Sequence, residues 1–173
     1  MTKPARKPEP IRADIGTKER RARGDVRVSG VGKSERKAEV ISPLQRMRNA
    51  GYICTGLHEA GKRYARHRHY AGLSGHPKSA DLLATGGGTG GMSEGEAAAY
   101  HWAEYGQASK TVGKWRSRPF EALVCDDEPL EAVGRMMGET NKPQAVAVAR
   151  FMVRERLCWL CDLWGIHYDR LTG

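Results

Sequence analysis

The stretch PLEAVGRMMGETNKPQAVAVARFMVRERLCWLCDLWG, residues 129–165, decides the reading of this chain: a short helix, a polar turn and a long helix. Pro129 suits a first helical position because it has no N–H to leave unpaired. Asp126, Asp127 and Glu128 place negative charge at the positive end of that helix. Gly138 can close it in a left-handed conformation at little steric cost. Glu139, Thr140, Asn141 and Lys142 form the turn, and Pro143 opens the second helix by the logic of Pro129. At roughly 100° per residue, Val146, Ala149, Val153, Leu157, Leu160 and Trp164 fall on one stripe, with Ala145, Met152 and Leu163 beside it. Gln144, Ala147, Arg150 and Arg154 fall on the other side. The order is that of a helix-turn-helix, which lays its second helix in the major groove of DNA. The same pattern also suits an ordinary amphipathic hairpin with a solvated polar face.

Composition narrows the function classes. The chain has 173 residues and a net charge of +9, with a mean hydropathy of −0.62, so a compact part smaller than the full length is expected. Residues 1–40 carry 12 Lys and Arg against 6 Asp and Glu, and residues 41–90 carry 7 against 2. Residues 91–128 are acidic, with 4 against 7, and 129–173 are nearly balanced, with 6 against 5. A basic balance favours polyanion partners, here double-stranded DNA, since no stretch approaches the ~20 apolar residues of a membrane span. The sequence MTKPARKPEPIRAD lacks an apolar signal core, so a cytoplasmic protein is expected.

Outward from residues 129–165, residues 1–40 read as a disordered basic arm. Pro4, Pro8 and Pro10, many charges and singly scattered Ile11, Ile15, Val26, Val28 and Val31 leave no periodic apolar face. Its run KERRAR (18–23) could follow a phosphate backbone. Residues 41–71 read as a helical hairpin. Ser42 caps a helix opened by Pro43, Gly51 breaks it, and Thr55 caps a second helix whose apolar side holds Leu57, Ala60, Gly61, Tyr64 and Ala65. Arg63, Arg66 and Arg68 make the rest of that helix basic. Residues 72–92 are a glycine-rich linker or loop. Residues 93–173 form a helical domain that contains the helix-turn-helix and packs with 41–71. Within it, Glu96 completes a capping box with Ser93, and Ala97, Ala98, Tyr100, His101, Trp102 and Tyr105 give an apolar, aromatic side. A further helix spans Pro119–Cys125. The fold class is all-α.

Motifs for chemistry fail one by one. VSGVGKS lacks the glycine that a phosphate-binding loop needs five residues before Gly32, because Arg27 stands there. Cys158 and Cys161 have CxxC spacing but lie within a helix, and Cys54 and Cys125 are isolated, so the four read as structural thiols. His58-Glu59 begins a zinc-protease pattern whose second histidine is replaced by Lys62. No serine or cysteine sits in a nucleophile context. The expectation is no enzyme, no metal and no cofactor.

Two segments carry a resemblance. PLQRMRNAGYICTGLHEAGKRY (43–64), then a glycine-rich gap, then VCDDEPLEAVGRMMG (124–138), resembles an alphaproteobacterial C-terminal domain of unknown function. That domain occurs in activators of gene transfer agents and in related phage proteins. Leu130–Leu163 also resembles region 4 of sigma factors. The resemblance spans residues 43 to about 168 and implies a sigma-like, phage-type transcription regulator with RNA polymerase as a further partner.

The expected DNA contacts are Gln144, Arg150 and Arg154, helped by Thr140, Asn141 and Lys142, with Arg63, Arg66 and Arg68 adding backbone charge. Phe151 falls among the polar positions and is a candidate protein contact. The alternatives are a phage small terminase subunit and a polymerase-binding antitermination or adaptor protein.

Overall fold

The computed structural model describes residues 26–29, 37–73, 94–113 and 117–169. The chain divides into two compact units, residues 1–41 and 42–173. In the first, β1 (Val26–Ser29) pairs antiparallel with β2 (Lys37–Val40), Val26 opposite Val40 and Ser29 opposite Lys37. This corrects the expectation of a structureless arm at those eight positions. Val26, Val28 and Val40 are β-branched residues that favour extended backbone, and Val26 and Val28, expected to be singly scattered, belong to one strand. The KERRAR run lies outside the described residues, as do Ser93 and nearly all of the glycine-rich segment.

Every regular element among the described residues of the second unit is a helix. Its elements are α1 (Pro43–Asn49), α2 (Thr55–Tyr70), α3 (Glu94–Val112), α4 (Ser117–Val124), α5 (Leu130–Met136) and α6 (Lys142–Trp164). The start of α1 follows the capping rule: Ser42 Oγ accepts the Gln45 N–H at 3.1 Å, with Pro43 in the first turn. At α2 the cap is Cys54, not the expected Thr55, and its side chain makes no capping hydrogen bond. Thr55 is already helical.

The long helix α6 is the central element, packed against α2, α3, α4 and α5. It buries Ala145, Ala149, Met152, Val153, Leu157, Leu160 and Cys161, close to the stripe expected from the sequence. All of these but Ala145 meet Leu57, Ala60, Tyr64 and Ala65 of α2, Phe120 and Leu123 of α4, and Val133 of α5 in one core with Leu44, Met47 and Ile53. Each large apolar side chain buried there contributes about 1.5–3 kcal/mol relative to exposure. Gly61 lets the elements close up. A Cβ at that position would stand 2.6 Å from Leu44 Cδ2 and 3.2 Å from Leu157 Cδ2.

Helix α3 departs from the sequence reading. It buries His101, Ala108 and Val112 and half-buries Tyr105, whereas Tyr100 and Trp102 are exposed. The buried set follows the helical stripe through 101, 105, 108 and 112, while neighbouring aromatics point elsewhere. A polar layer joins α2, α3 and α4. The hydroxyls of Tyr64 and Tyr105 both donate to Glu121 Oε1, at 2.9 and 2.7 Å. Burial and the adjacent carboxylate push both phenol pKa values up, so the two hydroxyls stay protonated donors.

Candidate nucleic-acid interface

The helix pair α5–α6 is shaped by two glycines. A Cβ on Gly134 would overlap the carbonyl of Ala145, so α5 and α6 touch backbone to backbone at that crossing. Gly138 has φ 96°, which lets the chain leave α5 as the N–H groups of Gly138 and Glu139 return to Arg135 O and Gly134 O, at 3.0 and 3.2 Å. Pro129 serves as the N-cap of α5, one residue before the helix proper, and Pro143 lies in the first turn of α6.

Glu131 ties the two helices together at the surface. Its carboxylate takes Arg135 at 2.8 Å and Lys142 at 2.9 Å. Hydrogen bonds from Lys142 and then Arg135 hold its pKa below the usual carboxylate value. The first three turns of α6 then show their outward side. Lys142, Pro143, Gln144, Ala147 and Phe151 are exposed, as are Thr140 and Asn141 before them, and Phe151 reaches 71% exposure. Arg150 and Arg154 are half-buried on one flank of that face. The Arg150 guanidinium lies 3.9 Å from the centroid of the Tyr52 ring, a cation–π contact that fixes its direction. From Lys142 to Arg154 the helix carries three cations and no acid.

Beside this face lies a cleft of about 290 Å³, lined by residues that include Pro43, Met47, Tyr52, Leu130, Val146 and Arg150. Sequence reasoning missed it, because its walls come from positions almost a hundred residues apart. Met136, exposed at 50%, was also missed. It sits in the last turn of α5, where the register of a seven-residue helix leaves its facing undecided.

Two of the three arginines of α2 are engaged by carboxylates of other elements. Arg68 bonds to Asp126 at 2.9 Å and approaches Glu121 at 3.6 Å, with 15% of its side chain exposed. Arg63 pairs with Glu104 at 3.3 Å and lies 4.7 Å from the Trp164 ring centroid. Arg66 is half-buried on the same helix. Arg63 and Arg68 therefore join α2 to α3, α6 and the end of α4. Asp126, expected to serve the dipole of α5, also partners Arg68.

Two further clusters belong to the fold. His67 Nδ1 and His101 Nδ1 lie 2.9 Å apart, both rings buried. Cys161 Sγ contacts Gly56 O at 3.5 Å, and burial pushes its thiol pKa up to about 12. Burial also raises the pKa values of Cys158 and Cys125, so these thiols resist ionisation. Among the described residues, no three His, Cys, Asp or Glu side chains gather as a metal-binding group. Among the same residues, no helix is long and apolar enough to cross a membrane.

Compared with protein-family models, with curated proteins and with solved structures, the chain matches none of them.

Proposed function

We propose that α5 and α6 form a helix-turn-helix and that the protein is a sequence-specific, double-stranded-DNA-binding transcription regulator of phage or prophage type, with RNA polymerase as a second partner. The observation that carries this reading is the outward side of α6. Gln144, Ala147 and Phe151 project from its first turns with Lys142, Arg150 and Arg154 around them and no carboxylate between 142 and 154. A helix of this kind fits a major groove about 12 Å wide, with amide and small side chains against base edges and arginines against phosphates. The backbone contact at Gly134 supports it by fixing the angle at which α6 leaves the turn.

Selection of duplexes from a random library by the full chain tests the proposal. A regulator enriches a defined site; Gln144→Ala then weakens that site more than random DNA, since a good base contact carries about 1–3 kcal/mol of discrimination, whereas Arg154→Ala weakens both alike. Library binding without enrichment would refute it. An assembly protein such as a small terminase subunit, or a polymerase-binding adaptor, is the second reading, favoured by the protruding Phe151. A ring-sized mass by light scattering would select the former, and polymerase capture without site-specific DNA binding the latter.

A further inference from the structure

Resting on the DNA-binding reading of α6, we infer that its outward face reads A·T pairs. Gln144 addresses an adenine, and Ala147 with Phe151 packs on thymine methyl groups. Gln144, Ala147 and Phe151 lie at i, i+3 and i+7, so all three share one side of α6, and all three are exposed. Along the helix Gln144 and Phe151 are about 10 Å apart, the rise of about three base pairs.

The chemistry of the three side chains is selective. A glutamine amide can both donate and accept, matching the N7 acceptor and N6 donor of adenine in the major groove. Alanine and phenylalanine offer no hydrogen bond. Set against a G·C pair, they would strip water from the guanine O6 or the cytosine amino group without replacing it. Set against thymine, they cover the one methyl group that any base displays in that groove.

The surroundings favour DNA over a protein partner for Phe151. A protein-binding patch is a contiguous apolar area of hundreds of Å². Here the ring shares its side of α6 with the Gln144 amide, the Ala147 methyl and, one turn further on, the half-buried Glu155, so no such apolar area surrounds it. Arg150 and Arg154 line the same flank, and the first acid of α6, Glu155, comes only after Phe151 and approaches Arg156 at 3.7 Å, so the first three turns match a polyanion. At 71% exposure, Phe151 takes no share in the core that would explain an aromatic ring at this position.

The test uses the full chain and the duplex that it enriches. Each thymine of that site is replaced in turn by uracil, which keeps every hydrogen-bonding group and removes only the methyl. One buried methyl corresponds to a loss of about fourfold in affinity. The wild-type protein should show that loss at one or two adjacent thymines, and Phe151→Ala should be weaker on the thymine duplex and indifferent to uracil at one of them. Melting of Phe151→Ala should match wild type, since the ring is outside the core. A site that is enriched but G·C-rich, or uracil tolerated everywhere, overturns the inference while leaving the DNA-binding reading intact. Equal affinity of Phe151→Ala and wild type for the thymine duplex would assign the ring to a protein contact and also overturn it. Absence of any enriched site would defeat both.

Discussion

Acidification should loosen this fold through His67, and the size of the effect follows from its surroundings. Arg63 Nε donates to His67 Nε2 at 3.4 Å, so that nitrogen is an acceptor and the ring proton sits on Nδ1. From there it is shared with His101 Nδ1 at 2.9 Å. A second proton on His67 would have to enter at Nε2, against the guanidinium of Arg63. Burial first, then repulsion from His101, Arg63 and Arg66, lowers the pKa from 6.5 to about 4, with Glu104 opposing. The folded value lies below the unfolded one, so the unfolded chain takes up protons first as pH falls. Stability is therefore intact above about pH 6.5 and is lost progressively down to about pH 4. Between pH 7 and pH 5 this group alone removes about 2 kcal/mol. His58 and His101 also have lowered pKa values, chiefly through burial, and act in the same direction. The assay is urea denaturation at both pH values for wild type and His67→Phe. The variant should be weaker at pH 7, because His101 loses its partner, but its drop to pH 5 should be smaller by about 2 kcal/mol. An equal drop in both proteins would refute the argument, since His67 would then not be the group that titrates.

The helix pair at 129–165 was legible because it depends on local chemistry: Pro129, Gly138 and Pro143 mark boundaries, and a 23-residue helix repeats its apolar stripe often enough to be read. The Ser42 cap was legible for the same reason. What escaped was set by distance along the chain. Arg63 and Arg68 look like a basic surface until Glu104 and Asp126 arrive from 41 and 58 residues away. The paired strands were hidden because four-residue segments such as VRVS and KAEV give too few alternations to stand out among charges. Helix α3 misled for a different reason: its aromatics crowd within six residues, and proximity in sequence was taken for a shared face. Among the expected DNA contacts, Gln144, Arg150 and Arg154 follow the helical spacing of α6, whereas Arg63 and Arg68 of α2 pair with Glu104 and Asp126.

Further expectations follow from single positions. Gly134→Ala should lower stability by about 2 kcal/mol or more, since the new methyl meets the Ala145 backbone, whereas Gly106→Ala in α3, with open space around it, should raise stability by about 0.5–1 kcal/mol. Thermal melts of the pair would refute the close crossing if both changes were neutral or stabilising. Glu121→Ala should cost about 3 kcal/mol in chemical denaturation, because the hydroxyls of Tyr64 and Tyr105 lose their shared acceptor, and Glu121→Gln should recover much of it. Equal losses for alanine and glutamine would show that the acceptor is not what matters. Glu131→Gln addresses function instead. The carboxylate holds Lys142 and Arg135 at the start of the proposed reading helix, and it is itself a negative charge beside the groove. Removing that charge at an exposed site should leave folding almost unchanged. It should strengthen binding to both specific and random DNA, and steepen the slope of log K against log salt by about 0.9 for each cation that turns to a phosphate. Unchanged affinity and slope would mean that Lys142 and Arg135 do not face DNA, and that α6 enters no groove by this end.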